Sequence, residues 1–325
     1  MAPPLRAPFV ATLNITNKCN LECHYCYSNS TPTISIPTAT AIRIIGTLLE
    51  EQGVFYLMIA GGDPLLHPGI CEIMSYSFAK YSRRVQLLTN GIRFCQDKFF
   101  AKFKDVCLDL SQRGVLAEIQ VSLDSVVPDI HDVHRQHGRL VLNAIEHLLT
   151  LPVCLQLACV VTSANVKVAD QIVDFYYPRV RSFHFMNLIF PNGVAFSQPG
   201  LSPATDHDLA ALDARLQEKA RRHKDLKVTS LVSTSHDPCL GVMEGRGCLA
   251  GITRIDVDAN LDVKACCMAN AVIGNLGRQT FEEMWHSAAA ERIRACEYAL
   301  CAPIVPNLGP TLRSTGPALR AAQAG

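Results

Sequence analysis

Short segments rich in β-branched and aromatic residues alternate with longer amphipathic segments through most of this 325-residue chain. The short segments have the composition of β-strands, and the longer ones have the spacing of helices. The strands begin roughly 30 to 45 residues apart, which is the length of one βα unit. Six parallel strands are therefore predicted, at Phe9–Ile15, Val54–Ala60, Arg84–Leu88, Glu118–Leu123, Cys154–Val161 and Ser182–Phe190.

The longer segments predict the crossover helices, at Thr38–Gln52, Gly69–Tyr81, Cys95–Arg113, Pro128–Leu149, Asn165–Tyr177 and Ala204–His223. Six units are fewer than the eight that close a complete barrel, so the pattern allows a partial (β/α)6 TIM-type barrel or a doubly wound sheet. In both folds, functional groups lie at the carboxyl ends of the strands. We therefore expect one rim to carry the segments that follow the first four strands, at residues 16–28, 61–64, 89–91 and 122–125.

The strand–helix repeat stops near residue 226, and glycines and cysteines become frequent. Residues 252–258 and 261–265 alternate in polarity around Asp258-Ala259-Asn260, which predicts a hairpin. Thr280 and Glu283 have the spacing of a capping box, so a helix is predicted from Thr280 to Cys296. The predicted organisation is a lead-in at 1–8, a barrel domain at 9–225, a cysteine-rich extension at 226–301 and a flexible tail at 302–325.

The charges are balanced, with 30 Lys and Arg against 29 Asp and Glu, and no block of like charge occurs. This pattern argues against nucleic-acid and anionic-membrane partners. The sequence shows neither a membrane-length apolar run nor a signal-peptide pattern, so a cytoplasmic location is expected. The 14 cysteines are then expected to be reduced thiols, and the expected substrate is a small molecule or a peptide.

Three cysteines, Cys19, Cys23 and Cys26, lie close together directly after the first predicted strand. Closely spaced thiolates bind zinc, Cu(I) or iron–sulfur clusters. A zinc site needs a fourth ligand, which His24 offers. Three cysteines alone instead leave one iron of a [4Fe–4S] cube open to another ligand. The residues by themselves therefore allow either a zinc site or an iron–sulfur cluster.

This spacing, with the aromatic Tyr25 before the last cysteine, resembles the signature of radical S-adenosylmethionine (SAM) enzymes. Gly61-Gly62-Asp63-Pro64 resembles the family's Gly-Gly-Glu-Pro segment, whose backbone meets the amino group of SAM. Residues 120–125 resemble the family's ribose and carboxylate strand, and Arg135 is similar to an arginine that meets the SAM carboxylate. The resemblance implies a partial barrel, a [4Fe–4S] cluster on the three cysteines, and SAM contacts from Tyr25, Gly61, Gly62, Asp63, Pro64, Asn90, Ser122, Asp124, Arg135 and Met186.

The extension resembles the C-terminal domain called SPASM, or its shorter form called twitch, which holds auxiliary [4Fe–4S] clusters. Two departures are visible: Leu261 stands where the family has glycine, and the last two cysteines are spaced Cys-x4-Cys rather than Cys-x2-Cys. A zinc knot or a degenerate extension is the alternative. The resemblance implies one auxiliary cluster held by Cys248, Cys266, Cys296 and Cys301, with Cys239 and Cys267 as alternative ligands.

The family's chemistry implies an enzyme that reductively cleaves SAM to a 5′-deoxyadenosyl radical, which abstracts hydrogen from a peptide or a small natural-product intermediate. An auxiliary cluster favours an oxidative outcome, such as cross-link formation or dehydrogenation. Flavodoxin or ferredoxin is the expected electron donor. The alternatives are a sulfatase-maturase-like enzyme and a non-catalytic iron–sulfur or zinc protein with the same fold. No catalytic side chain is assigned from the sequence.

Overall fold

A computed structural model describes residues 5–26, 33–188, 201–229, 250–267 and 272–294. The strands in these residues are β1 (Val10–Thr16), β2 (Tyr56–Gly61), β3 (Val85–Thr89), β4 (Ala117–Ser122), β5 (Val153–Val161), β6 (Ser182–Asn187), β7 (Lys227–Thr229), β8 (Arg254–Val257), β9 (Asp262–Lys264) and β10 (Val272–Asn275). The α-helices are α1 (Thr38–Gly46), α2 (Ile70–Tyr81), α3 (Asp97–Gln112), α4 (Pro128–Asp132), α5 (Gly138–Leu148), α6 (Gln171–Tyr176), α7 (Asp206–Arg222), α8 (Phe281–Trp285) and α9 (Ala288–Arg294).

The strands of the described residues form one sheet in the order β10-β9-β8-β1-β2-β3-β4-β5-β6-β7. Strands β1 to β7 are parallel and follow one another in chain order. A doubly wound sheet reverses its strand order at a switch point and carries helices on both faces. Right-handed crossovers between sequential strands instead place the helices on one face. The prediction of a partial barrel is therefore confirmed, and the doubly wound alternative is wrong.

The two faces of the sheet differ in polarity. On β1, Ala11, Leu13 and Ile15 are fully buried and belong to the apolar core that the helices cover. Thr12 and Asn14 alternate with them and therefore point to the opposite face, which is the interior of the partial barrel. Burying each of the larger apolar side chains contributes about 1.5 to 3 kcal/mol, so the helix-covered face holds the fold together. The other face is left available for polar groups.

The predicted helix Pro128–Leu149 is two helices, α4 and α5. Gln136 and His137 between them have φ angles of 74° and 57°, outside the helical region. A Cβ atom on Gly138 would lie 3.0 Å from the Cα of Pro128, so a glycine is needed where the chain turns back on α4. The apolar spacing continues across this turn, which is why periodicity alone did not reveal the break.

Three other helices differ from their predicted ranges by more than two residues. The first helix ends at Gly46 and continues as a π-helical turn at Thr47–Glu51. The helix predicted from Asn165 begins only at Gln171. The helix predicted from Thr280 has the predicted capping box, but it is divided into α8 and α9 at Ser287, whose hydroxyl accepts a hydrogen bond from the Ala290 N–H at 3.2 Å.

The C-terminal hairpin joins the barrel sheet. Strand β8 pairs in parallel with β1, and β9 and β10 continue the sheet in antiparallel fashion. Asn14 connects the two parts, because its amide donates to Asp256 Oδ1 at 2.8 Å and to the Val257 carbonyl at 3.1 Å. Strand β7, which was not predicted, lies just beyond residue 225, the predicted end of the barrel. In the described residues, no helix is both long enough and apolar enough to cross a membrane.

Candidate cofactor site

The turns after β1 and β2 are held together by their backbones at the carboxyl end of the sheet. The Gly62 N–H donates to the Thr16 carbonyl at 2.8 Å, and the Asp63 N–H donates to the Lys18 carbonyl at 2.7 Å. A Cβ atom on Gly61 would lie 2.2 Å from the Thr16 oxygen, and one on Gly62 would lie 2.3 Å from the Lys18 oxygen. The two glycines therefore permit a close approach to the segment that leads into the three-cysteine loop.

Asp63 links the turn after β2 to the turn after β3. Its buried carboxylate accepts hydrogen bonds from the Leu65 N–H at 2.9 Å, the Thr89 hydroxyl at 2.8 Å and the Asn90 N–H at 2.8 Å. Burial raises the pKa of Asp63 to about 6, although these hydrogen bonds act in the opposite direction. Both carboxylate oxygens are used within the chain, so Asp63 positions backbone segments.

Asn90, directly after β3, reaches the cysteine loop. Its amide nitrogen donates to Asn20 Oδ1 at 2.8 Å and lies 3.9 Å from Cys19 Sγ. Its amide oxygen accepts from the Ile92 N–H at 3.0 Å, which orients the side chain. The predicted proximity of these turns is thus observed, through direct contacts between the loop and the next two strand ends.

The thiols of Cys19, Cys23 and Cys26 lie close enough to repel one another as thiolates. Burial raises the pKa of Cys19 to about 11, and the other two thiols and Asp63 act in the same direction. Burial likewise raises the pKa of Cys23, whereas the positive charge of Arg135 opposes this. Added positive charge, such as that of a bound metal, favours the thiolate forms of Cys19 and Cys23.

His24, the alternative fourth zinc ligand, is paired with His134. The two Nδ1 atoms are 3.5 Å apart, and the His24 N–H donates to the His134 carbonyl at 2.9 Å. Among the described residues, no three His, Cys, Asp or Glu side chains are grouped as one metal ion would require. In a cubane cluster, each thiolate binds its own iron.

Tyr25, Asp124 and Arg135 form one buried network beside this loop. The Tyr25 hydroxyl donates to Asp124 Oδ2, and Arg135 Nε donates to the same oxygen at 3.1 Å. The Val160 N–H donates to Asp124 Oδ1 at 3.0 Å, so both oxygens have partners. The Arg135 guanidinium also lies 5.2 Å from the centre of the Tyr25 ring. Sequence reasoning named all three residues as SAM contacts and missed that they pair with one another.

Burial acts differently on the members of this network. It raises the pKa of Tyr25. Burial alone would lower the pKa of Arg135, but Asp124, Tyr25 and Cys23 together outweigh burial, and the pKa is raised. The side chains of Arg135 and Asp124 are only 11% and 4% exposed, so their charges are screened little by water. Arg135 is therefore a cation in this site.

Ser122 and Met186 lie at the ends of β4 and β6 on the interior face of the barrel. Ser122 is in register with Ala158, and Met186 is in register with Val160, so both stand near the rim. Both residues are half-buried. They are separated by β5 in the sheet.

The predicted auxiliary ligands are described only in part. Cys266 is buried and Cys267 is half-buried, directly after β9. Leu261, which replaces the family's glycine, has a φ of 71°, the left-handed conformation that glycine adopts without strain. Leu261 therefore holds a backbone conformation that a glycine would adopt there without strain. Cys239, Cys248, Cys296 and Cys301 lie outside the described residues.

Comparison with known families identifies the two parts of the chain. The profile of the Radical SAM superfamily matches residues 13–161, and that of SPASM, an iron-sulfur cluster-binding domain, matches residues 248–303. Together the two matches cover more than half of the chain. The chain carries a radical SAM domain followed by a SPASM domain. A radical SAM domain implies a [4Fe–4S] cluster and SAM as cofactors, and a SPASM domain implies auxiliary iron–sulfur binding.

The curated relatives of this chain have different named activities. A probable GTP 3′,8-cyclase of Methanocaldococcus jannaschii is 29% identical over 50% of this chain and 53% of that protein. The subtilosin biosynthesis protein AlbA of Bacillus subtilis is 31% identical over 39% of this chain and 27% of its own length. Mycofactocin maturase MftC of Mycobacterium ulcerans is 30% identical over 53% and 44%, respectively. The chain thus spans about half the length, or less, of these relatives.

Solved structures share the fold. SuiB of Streptococcus suis, bound to the precursor peptide SuiA, superposes with a TM-score of 0.72 at 14% identity, over 90% of this chain and 68% of SuiB. The enzyme anSMEcpe with bound AdoMet and the Kp18Cys peptide superposes with a TM-score of 0.65 at 18% identity, over 89% and 83%. At these identities, the likeness concerns the fold alone.

Proposed function

We propose that this protein is an enzyme that reductively cleaves SAM and abstracts hydrogen from a peptide or a small natural-product intermediate. The observation that carries the proposal is the meeting of the turns after β1, β2 and β3 at one cysteine loop, through Gly62, Asp63 and Asn90. When bound, a reduced [4Fe–4S] cluster would supply the electron that breaks a sulfonium bond of SAM and starts radical chemistry. A cluster held by Cys19, Cys23 and Cys26 would stand at the mouth of the barrel.

We assign the SAM contacts to two kinds of residue. Gly61 and Gly62 lack Cβ atoms, so the turn after β2 can lie against the backbone of Thr16 and Lys18, which places the glycine backbone beside the cysteine loop where the amino group of SAM would bind. Arg135 supplies the positive charge that a carboxylate of SAM requires. Asp63 and Asp124 act through their neighbours, since all four of their carboxylate oxygens already accept hydrogen bonds. This proposal differs from the expectation that both aspartates touch SAM directly, which stays a prediction.

The interior face of the barrel supports substrate entry from the rim. Below the rim, Gln86 donates to Gln156 at 3.1 Å, and Gln156 donates to Ser182 at 2.9 Å. These polar groups satisfy one another across the interior. Ser122 and Met186 lie nearer the carboxyl ends on the same face, where a substrate would meet them. A site enclosed in this way limits the access of water to a reactive intermediate.

The names of the relatives support two substrate classes. AlbA, MftC and SuiB with its precursor peptide SuiA favour a peptide substrate. The GTP 3′,8-cyclase favours a small molecule. An oxidative outcome, such as cross-link formation or dehydrogenation, is proposed because the SPASM domain offers a second cluster that can accept an electron. Flavodoxin or ferredoxin is the proposed electron donor.

Anaerobic reconstitution with iron and sulfide, followed by dithionite and SAM, tests the proposal. We expect the wild-type protein to release 5′-deoxyadenosine and methionine, measured by liquid chromatography. Cys23→Ala should release neither, because the cluster loses one of its three protein ligands. Cys154→Ala is the matched control, since Cys154 is an exposed cysteine of β5 outside the motif. Bound iron and sulfide without either product would show a non-catalytic iron–sulfur protein.

The auxiliary cluster has its own test. Replacing Cys248 with alanine is expected to lower the iron content by about one cluster while leaving the cluster on Cys19, Cys23 and Cys26 intact, because the two sets of thiols lie in separate segments. Iron quantitation and Mössbauer spectroscopy measure the change. Unchanged iron content would remove the auxiliary cluster from the proposal.

A further inference from the structure

A buried ion pair lies directly beside the proposed cluster ligands. Arg135 Nε and Asp124 Oδ2 are 3.1 Å apart, and the carbonyl of Arg135 is 3.8 Å from Cys23 Sγ. Tyr25, between Cys23 and Cys26 in the chain, donates to the same Asp124 oxygen and stacks against the guanidinium. The positive charge of Arg135 therefore lies near the proposed cluster ligands.

Asp124 is the carboxylate with which Arg135 forms an ion pair in the described part of the chain. Because both side chains are almost completely buried, their charges act over longer distances than surface charges do. With both groups ionised, the pair adds no net charge near the thiols. Without Asp124, one uncompensated positive charge would remain there.

We propose that Asp124 compensates the charge of Arg135 and thereby keeps the reduction potential of the cluster on Cys19, Cys23 and Cys26 low. The inference rests on the proposed function. Reduction adds one electron, and therefore one negative charge, to the cluster without forming or breaking a bond. An uncompensated arginine stabilises that added charge and raises the potential, since net charge is one of the factors that set it. Asp124 is thus a positioning residue that allows Arg135 to serve SAM without making the cluster a weaker reductant.

The test is a redox titration of the reconstituted protein without SAM, with dithionite as reductant and electron paramagnetic resonance as the readout. Asp124→Asn keeps the shape of the side chain and removes its charge, and we expect a positive shift of the midpoint potential. Arg135→Gln should shift it in the negative direction. The double variant should return close to the wild-type value. Cys23→Ala protein, which lacks the first cluster, identifies the signal of the auxiliary cluster.

An exposed ion pair provides the matched control. Arg179 and Glu146 are 2.7 Å apart, with side chains 45% and 49% exposed, so Glu146→Gln makes the same change of charge far from the loop. It should leave the potential unchanged. An unshifted or more negative potential in Asp124→Asn with an intact cluster overturns the inference. If Asp124→Asn does not retain its cluster, the midpoint potential of Arg135→Gln decides the test. An unchanged midpoint potential in Arg135→Gln overturns the inference. Wild-type iron content in Cys23→Ala would instead overturn the proposed function.

Discussion

Two buried aspartates at the same rim have different partners. Asp63, after β2, is 1% exposed, and its hydrogen-bond donors among the described residues are neutral: the Leu65 and Asn90 N–H groups and the Thr89 hydroxyl. Asp124, after β4, is 3% exposed and faces the guanidinium of Arg135. The first connects backbone turns, and the second balances a charge. The same residue type at equivalent positions of a barrel therefore serves two functions, which depend on its donors.

The largest expected effect concerns the charged pair. Asp124→Ala should lower the free energy of unfolding of the metal-free protein by about 3 to 5 kcal/mol, because it leaves the buried Arg135 without a counter-ion. Urea denaturation measures the loss. Adding Arg135→Met should recover a substantial part of it, since residues of one ion pair are energetically coupled. A strictly additive double variant would contradict the pairing.

Asp63→Ala should lower the free energy of unfolding somewhat less, by about 2 to 3 kcal/mol in the same urea denaturation. It leaves the buried donors of Leu65, Thr89 and Asn90 without their acceptor, but it leaves no unpaired charge. Combined with Arg135→Met, its effect should add within about 0.5 kcal/mol, because the two residues share no hydrogen bond. If Asp63 and Arg135 were coupled as strongly as Asp124 and Arg135, the distinction between the two aspartates would be wrong.

The smallest expected effect is a dependence of the free energy of unfolding on pH, caused by Asp63. Burial raises its pKa from 3.8 to about 6, so between these values the folded protein keeps a proton that the unfolded chain has released. The free energy of unfolding should therefore fall as the pH rises from about 4 to about 6, by about 2 kcal/mol. Asp63→Asn should lack this component when both proteins are unfolded in urea across the range. If the free energy of unfolding changes equally with pH in the wild type and in Asp63→Asn, the pKa of Asp63 is not raised in the folded protein.

The sequence predicted the elements that depend on local pattern. The six barrel strands, the C-terminal hairpin and the capping box of Thr280 and Glu283 follow from alternation, periodicity and turn residues, and the structure confirms them. The break at Gln136 and His137 was missed, because the apolar spacing of α4 and α5 continues across it. The short strand β7 was missed too, since three residues carry too little pattern to be recognised.

At the candidate site, the sequence by itself indicated the radical SAM domain, through the spacing of three cysteines and the two glycines that permit close backbone approach. It also placed Asp63, Asp124 and Arg135 near the rim. Only the tertiary structure decided what these side chains bind. Tyr25 and Asp124 are 99 positions apart in the chain, and Asp63 and Asn90 are 27 apart. Hydrogen bonds and charge compensation act through space between buried groups, so strand order and register, not sequence distance, determine which groups meet.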